Sequence, residues 1–190
     1  METNGQPETE VERLDALLLE VEKLRAQAAG NPTYGFDEPW DIFMRRMRLL
    51  PAQSYGARIQ NRLARAYGWE RVPAALDRGD VVGAQGRHFE IKVSVLTPSK
   101  REAHFVQIRP HQNVEGYHLF VVECDYSLVH MYVPSKAMKA EVKRHGTSSH
   151  GTQTAVRNND SKELSIRFSW DGGIAKKWQT RYGQVAVSAL

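Results

Sequence analysis

Two periods of apolar and polar residues run along this chain, and the changes between them mark its elements. From Glu10 to about Ala29, apolar residues recur every three or four positions: Val11, Leu14, Leu18, Val21 and Ala28, with Leu17 and Leu24 widening the stripe. That period predicts one amphipathic helix, with Arg25 interrupting its seam and Gly30-Asn31-Pro32 ending it. The helix could dock on its own domain or pair with its copy in a dimer. Two further helices are expected, Asp41–Leu50 and Ser54 to about Tyr67. Asp41 and Ser54 are their expected caps, and Gly68 closes the second.

After Gly79 the period falls to two. Phe89, Ile91 and Val93 alternate with Glu90 and Lys92, as in a strand with one apolar face. Gly83–Gly86 lets the chain reverse, so the run at Asp80 can pair beside it. His104–Arg109 also alternates, placing Val106 and Ile108 on one face and Gln107 and Arg109 on the other. Tyr117–Glu123 is almost continuously apolar, as a central strand covered on both faces would be. Val129–Val133 reads as a strand, Ser135 caps a helix to about Arg144, Leu164–Trp170 is a strand and Ile174–Tyr182 a short helix. The strands lie too close together for βαβ crossovers. The expected class is therefore α/β (α+β), a central mixed sheet flanked by helices. Residues 1–30 form an N-terminal helical arm and 31–190 the main domain, with a polar loop at about 145–160.

Charge changes this picture in one respect. The net charge of +4 conceals a net −4 over residues 1–30, which leaves +8 on the body. A basic body with an acidic arm points to a polyanionic partner. No apolar run approaches the roughly 20 residues that span a membrane, and the N-terminus METNGQPETEVE does not read as a secretory signal. The cytoplasm is the expected compartment. The single cysteine, Cys124, excludes a disulfide framework and a Cys-based zinc site, and its place at the end of an apolar run predicts burial. His145 and His150 are five apart but belong to no cluster at ligand spacing.

The chemistry concentrates in Gly79–Val95, GDVVGAQGRHFEIKVSV. Pairing the Asp80 run with the Glu90–Lys92 run brings two carboxylates and a lysine to one point. Carboxylates so placed repel unless a proton or cation lies between them. A hard cation such as Mg²⁺ accepts such oxygen ligands together with waters and a substrate phosphate. The metal can activate a water, and the lysine can orient that water or stabilise developing negative charge. The set suits phosphodiester hydrolysis. The plain alternative is a hairpin with charged residues on its wet face.

A helix, Asp80 leading into a short strand, nine intervening residues and then Glu90-Ile91-Lys92 resembles the PD-(D/E)XK nuclease superfamily, and most of all its small type II restriction endonucleases. The resemblance covers roughly Ser54–Val133. It implies that Asp80, Glu90 and the main-chain carbonyl of Ile91 hold the metal and that Lys92 is the catalytic lysine. It also implies that Gln107 is a supporting polar residue of the active site. Gln60 stands nearest to the glutamate that many members carry on the preceding helix. Gly79 replaces the family's proline, and Asp77 is a rival to Asp80 for the first carboxylate.

Recognition of double-stranded DNA needs residues for phosphates and residues for base edges. Arg87, Lys100, Arg101 and Arg109 flank the motif and are expected at phosphates. His111, Gln112 and Asn113, and then His145, Thr147, Ser148, Ser149, His150, Gln153, Arg157, Asn158 and Asn159, are the expected base contacts. Cutting both strands takes two active sites, and a chain of this size holds one, so a homodimer on a palindromic site is expected. The resulting expectation is a Mg²⁺-dependent, sequence-specific endonuclease. A structure-selective repair nuclease and a non-catalytic DNA-binding protein on the same fold are the alternatives.

Overall fold

The computed structural model of the chain describes residues 9–73, 76, 78–148 and 164–184. Two compact units, Met1–Arg58 and Ile59–Leu190, meet within a single helix. The first contains α1 (Glu10–Ala28), α2 (Trp40–Met47) and the opening turns of α3 (Ala52–Ala66). A capping box starts α1: the Thr9 hydroxyl accepts from the Glu12 N–H, and the Glu12 carboxylate accepts from the Thr9 N–H at 2.7 Å. Pro39, not Asp41, occupies the cap position of α2. Phe43, Met44 and Met47 are fully buried. Arg25 Nε donates to the Leu49 carbonyl at 3.0 Å, and the Arg58 guanidinium donates to the Ala28 carbonyl. These bonds tie residues 31–58 to α1, so the division falls at 58/59 and not after residue 30.

The stripe of α1 is not covered along its length. Ala28 is its only buried residue, while Leu14 and Leu18 are 54% and 62% exposed and Val11, Leu17 and Leu19 are similarly open.

The second unit is built on two sheets. In chain order its strands are β1 (Glu70–Arg71), β2 (Val81–Val82), β3 (His88–Val95), β4 (Glu102–Ile108), β5 (Gly116–Val122), β6 (Leu128–Pro134), β7 (Gly146–Ser148), β8 (Leu164–Ser169) and β9 (Gly183–Gln184). Its later helices are α4 (Ser135–His145) and α5 (Gly173–Tyr182). The main sheet has the order β1-β2-β3-β5-β6-β9, and it is mixed: β3 and β5 run parallel and the other pairs antiparallel. A parallel pair requires a crossover. Here the crossover contains a strand, β4, which leaves the main sheet to form a second one in the order β4-β8-β7. β5 has the sequence GYHLFVV and only His118 is less than fully buried, as expected of a covered central strand.

One core joins Leu96, Phe105 and Ile108 to Leu119, Val121 and Met131, and takes in Met138 and Val142 of α4 and Trp178 of α5. The other side of the main sheet carries a chain of rings. Tyr67 OH lies 3.2 Å from His130 Nδ1, and His130 Nε2 lies 2.9 Å from His118 Nδ1. Trp69 stacks on His118 and Phe120 on His130. Burial, reinforced by the neighbouring His130, pushes His118 down to about 3, and burial pushes His130 down to about 4. The pair is therefore neutral where the fold operates.

Simple alternation fails in β4. Phe105 lies opposite Ile166 and Ile108 opposite Leu164, so β4 has one residue more than β8 between those pairs. Gln107 takes φ +55 at this bulge. Phe105 and Ile108 are both buried as a result, and Val106, expected to share a face with Ile108, is 42% exposed. Ser135 is the first residue of α4, not its cap; its hydroxyl donates to the Val114 carbonyl.

Candidate functional site

The β2–β3 hairpin forms as the sequence predicts. Val81 lies opposite Phe89 and Val82 opposite His88, and the same register carried one step further sets Asp80 across from Glu90. The Asp80 N–H donates to the Phe89 carbonyl at 2.8 Å, and Asp80 Oδ2 accepts from the Ile91 N–H at 2.9 Å. The strand β3 is thus gripped just before β2 begins. The Ile91 carbonyl accepts from Gln60 Nε2 of α3 at 2.8 Å, so the neutral Gln60 touches the motif.

Glu90 pairs in register with Tyr117 of β5, on the face that carries Leu119 and Val121 into the core. Only 3% of Glu90 is exposed. Lys92 Nζ lies 2.7 Å from Glu90 Oε1, with 11% of the lysine side chain exposed. In the amide orientation that satisfies both neighbours, Gln112 donates from its nitrogen to Glu90 Oε2 at 3.3 Å, and its oxygen accepts from the Gly79 N–H at 3.0 Å. Ser94, the next residue on this face, accepts from the His104 N–H at 2.9 Å. This arrangement excludes the wet-faced hairpin, because a second sheet covers the charged positions.

Gly79 stands where the family that the motif resembles carries proline. Its φ is +86, a conformation that proline's ring forbids. Its N–H is also in use, donating to Gln112. A Cβ at this position would lie 2.6 Å from the Phe89 carbonyl oxygen and 2.8 Å from Val114 Cγ1.

Burial is the largest influence on Glu90 and raises its carboxyl above the ordinary glutamate value. Lys92 opposes that rise, Asp80 adds to it, and Arg109 opposes it more weakly. Burial also pushes the Tyr117 phenol up, helped by Glu90. Its hydroxyl donates to the Arg109 carbonyl at 2.8 Å. The site therefore holds a buried carboxylate, Glu90, whose proton affinity is raised by burial and by a second carboxylate, and one close cation.

Such a donor set fits a hard divalent cation. Asp80 and Glu90 supply carboxylate oxygens from neighbouring strands, and the Ile91 carbonyl keeps a second lone pair beside the bond from Gln60. Among the described residues no group of three His, Cys, Asp or Glu side chains is gathered for a metal. A protein ligand set of two carboxylates matches Mg²⁺, which retains several waters, better than zinc or calcium.

The remaining expected residues are dispersed. Gln107 is exposed at the β4 bulge, and the residue that reaches Glu90 from this connection is Gln112. Gln112 was expected at bases, but at 6% exposure it faces inward. His111 and Asn113, on either side of it, are exposed. Arg87 is exposed, with its guanidinium over the Phe89 ring at 5.9 Å. Lys100 pairs with Glu102 at 3.3 Å. Arg101 is held by Asp171 at 2.8 Å and Glu123 at 3.2 Å, so acids already engage this expected phosphate contact. Its Nη1 also lies 3.8 Å from Cys124 Sγ, and Cys124 is only partly buried, not enclosed as its apolar context predicts. His145 ends α4, with Nε2 3.8 Å from Glu141 Oε2. Thr147 and Ser148 lie in β7, paired with β8, where an open loop was expected. Asp77, Ser149, His150, Gln153, Arg157, Asn158 and Asn159 lie outside the described residues.

Two site residues escaped the sequence reading, Gln112 and Tyr117. The signal for Gln112 was present: it alternates with Val114 and against His111 and Asn113, a pattern that turns it inward. No protein-family model and no curated protein matches the chain.

Proposed function

We propose that the chain is a Mg²⁺-dependent endonuclease that hydrolyses phosphodiester bonds of double-stranded DNA at specific sequences, in the manner of a type II restriction enzyme. The observation that carries this reading is the burial of Glu90 between Lys92, Gln112 and the neighbouring charge of Asp80. A structural hairpin gains nothing from a buried carboxylate whose neighbours include another carboxylate. Asp80, Glu90 and the Ile91 carbonyl would hold the cation, which when bound polarises a phosphoryl oxygen and lowers the pKa of a coordinated water. Lys92 is fixed by its ion pair, so its ammonium can orient the attacking water or meet negative charge as it develops. Gln112 anchors Glu90 to the Gly79 turn, and the Ile91 N–H anchors Asp80, so neither carboxylate must reorganise for the reaction.

Incubating the protein with plasmid DNA and Mg²⁺ tests the reading. Discrete fragments are the expected result. Uncut DNA would refute hydrolysis, a smear would mean a general nuclease, and cutting confined to branched or gapped DNA would favour the structure-selective alternative. That alternative draws some support from Gln112 and Arg101, which have other duties and so shorten the recognition set.

The reading also requires two copies. The exposed apolar face of α1 suits a self-pairing contact, since large contiguous apolar patches on a surface mark interaction sites. A Leu14→Glu, Leu18→Glu variant is expected to sediment as a monomer and to nick plasmid without linearising it. An unchanged sedimentation coefficient would move the dimer contact elsewhere.

A further inference from the structure

We infer that α4 and α5 together form a second DNA-binding surface, which grips the phosphate backbone independently of the cleavage site. Five lysines, Lys136, Lys139, Lys143, Lys176 and Lys177, are exposed on these two helices. The only acid in either helix is Glu141, and it is buried. None of the five lysines forms an ion pair among the described residues. Asp171, an acid close enough to feel Lys176, is committed to Arg101.

Glu141 turns these separate charges into one surface. Tyr182 OH donates to its Oε1 at 2.9 Å, so the C-terminal ends of α4 and α5 meet there. Arg144 and Arg181 approach the same oxygen at 3.6 and 3.8 Å, yet their side chains remain 61% and 65% exposed. One buried carboxylate thus holds two exposed guanidinium groups where the lysine-bearing helices meet.

The spacing suits a nucleic-acid backbone. Lys136, Lys139 and Lys143 follow the three-then-four spacing of a single helix face, and at 1.5 Å per residue they extend over about 10 Å. Over that distance one DNA strand presents about three phosphates. Concentrated positive charge also repels itself within the fold. The first turn of α4 is joined to the segment after Gln112, since the Ser135 N–H donates to the Glu115 carbonyl at 3.0 Å and its hydroxyl donates to the Val114 carbonyl. The choice of DNA as the polyanion rests on the nuclease reading; the surface itself does not depend on cleavage.

The test measures affinity for a short labelled duplex in EDTA, so that no hydrolysis occurs, over a range of salt concentrations. Replacing all five lysines by glutamine is expected to weaken binding more than about tenfold near 0.1 M salt and to flatten the slope of log K against log salt by about 3 to 4. Replacing the same five by arginine is expected to preserve both quantities. Circular dichroism of each variant monitors the fold, and the arginine variant shows whether charge alone is responsible. Unchanged affinity and slope in the glutamine variant would overturn the inference, as would equal loss in the arginine variant. Tighter binding to phosphatidylserine vesicles than to the duplex would overturn it in favour of a membrane. Discrete plasmid cutting by a glutamine variant with undiminished affinity would defeat this surface alone. Loss of binding by that variant, with a parent that never cuts, would defeat the nuclease reading alone.

Discussion

Glu90→Gln is expected to slow Mg²⁺-dependent cleavage by a factor on the order of 10³ or more, while leaving the metal-free protein at least as stable as the parent at neutral pH. The two effects share a cause. Burial raises the Glu90 carboxyl above its ordinary value of 4.5, and Asp80 raises it further, against the pull of Lys92 and Arg109. A carboxyl whose folded value is raised favours the native state fully below 4.5, and this contribution is lost as pH climbs through the folded value. Wherever the parent ionises Glu90, it therefore carries a charge that its surroundings disfavour. Glutamine is nearly the same size, keeps one oxygen to accept from Lys92, and carries no charge. A gain of roughly 0.5–2 kcal/mol is expected, which melting temperatures would register as a few degrees. The gain should shrink as pH falls through the folded value toward 4.5, below which Glu90 is protonated in both states. Mg²⁺ should raise the melting temperature of the parent more than that of the variant, because only the parent offers both carboxylates. Native-rate cleavage by a folded Glu90→Gln variant would remove Glu90 from the site. A loss of stability that persists below pH 4.5 would show that Glu90 is a packing residue and nothing more.

The local half of this arrangement could be read from the sequence, and the distant half could not. Alternation in FEIKV fixes Glu90 and Lys92 on one face, and the glycines after Val82 return Asp80 to their side. Both steps depend on neighbours in the chain. The choice of partner for β4 is different. Its pattern is compatible with a place beside β3, yet it pairs with β8, whose closest residue lies more than fifty positions away. That choice buries Glu90, because it lays a second sheet across the charged face, and no local period encodes it. The bulge at Gln107 is equally hidden: alternation through HFVQIR is regular, and one extra residue reverses its meaning from Val106 onward. Arg101 likewise reads as a free cation until folding brings up Asp171, seventy residues further on. The basic face of α4 and α5 was accessible in principle, since KAMKAEVKR shows the helical spacing directly.

Gly79→Pro would restore the dipeptide of the family that the motif resembles, and it is expected to damage the protein more than Gly79→Ala does. Alanine at φ +86 pays for a left-handed backbone, about 1–2 kcal/mol. Its Cβ would also sit 2.6 Å from the Phe89 carbonyl oxygen, a main-chain atom that pairs with Asp80, so relief requires the hairpin itself to move. Overpacking of that kind adds roughly 1–3 kcal/mol. The sum, about 3 kcal/mol, corresponds to a fall in melting temperature of about 6–12 °C for a chain of this size. Proline adds two further faults: its ring cannot reach this φ, and it has no N–H for Gln112 to accept from. Gln112 would then lose its anchor and Glu90 would lose the group that holds Oε2, so cleavage should fall together with stability. Gly86→Ala supplies the control. Gly86 has φ +69 but open space where a Cβ would project, so it should show the backbone cost alone. A clear excess at position 79 over position 86 would place the crowding at the Phe89 carbonyl, beside Asp80. Equal losses at the two positions would mean that the turn before Asp80 is looser than described, and that Gly79 does not hold the first carboxylate in register with the second.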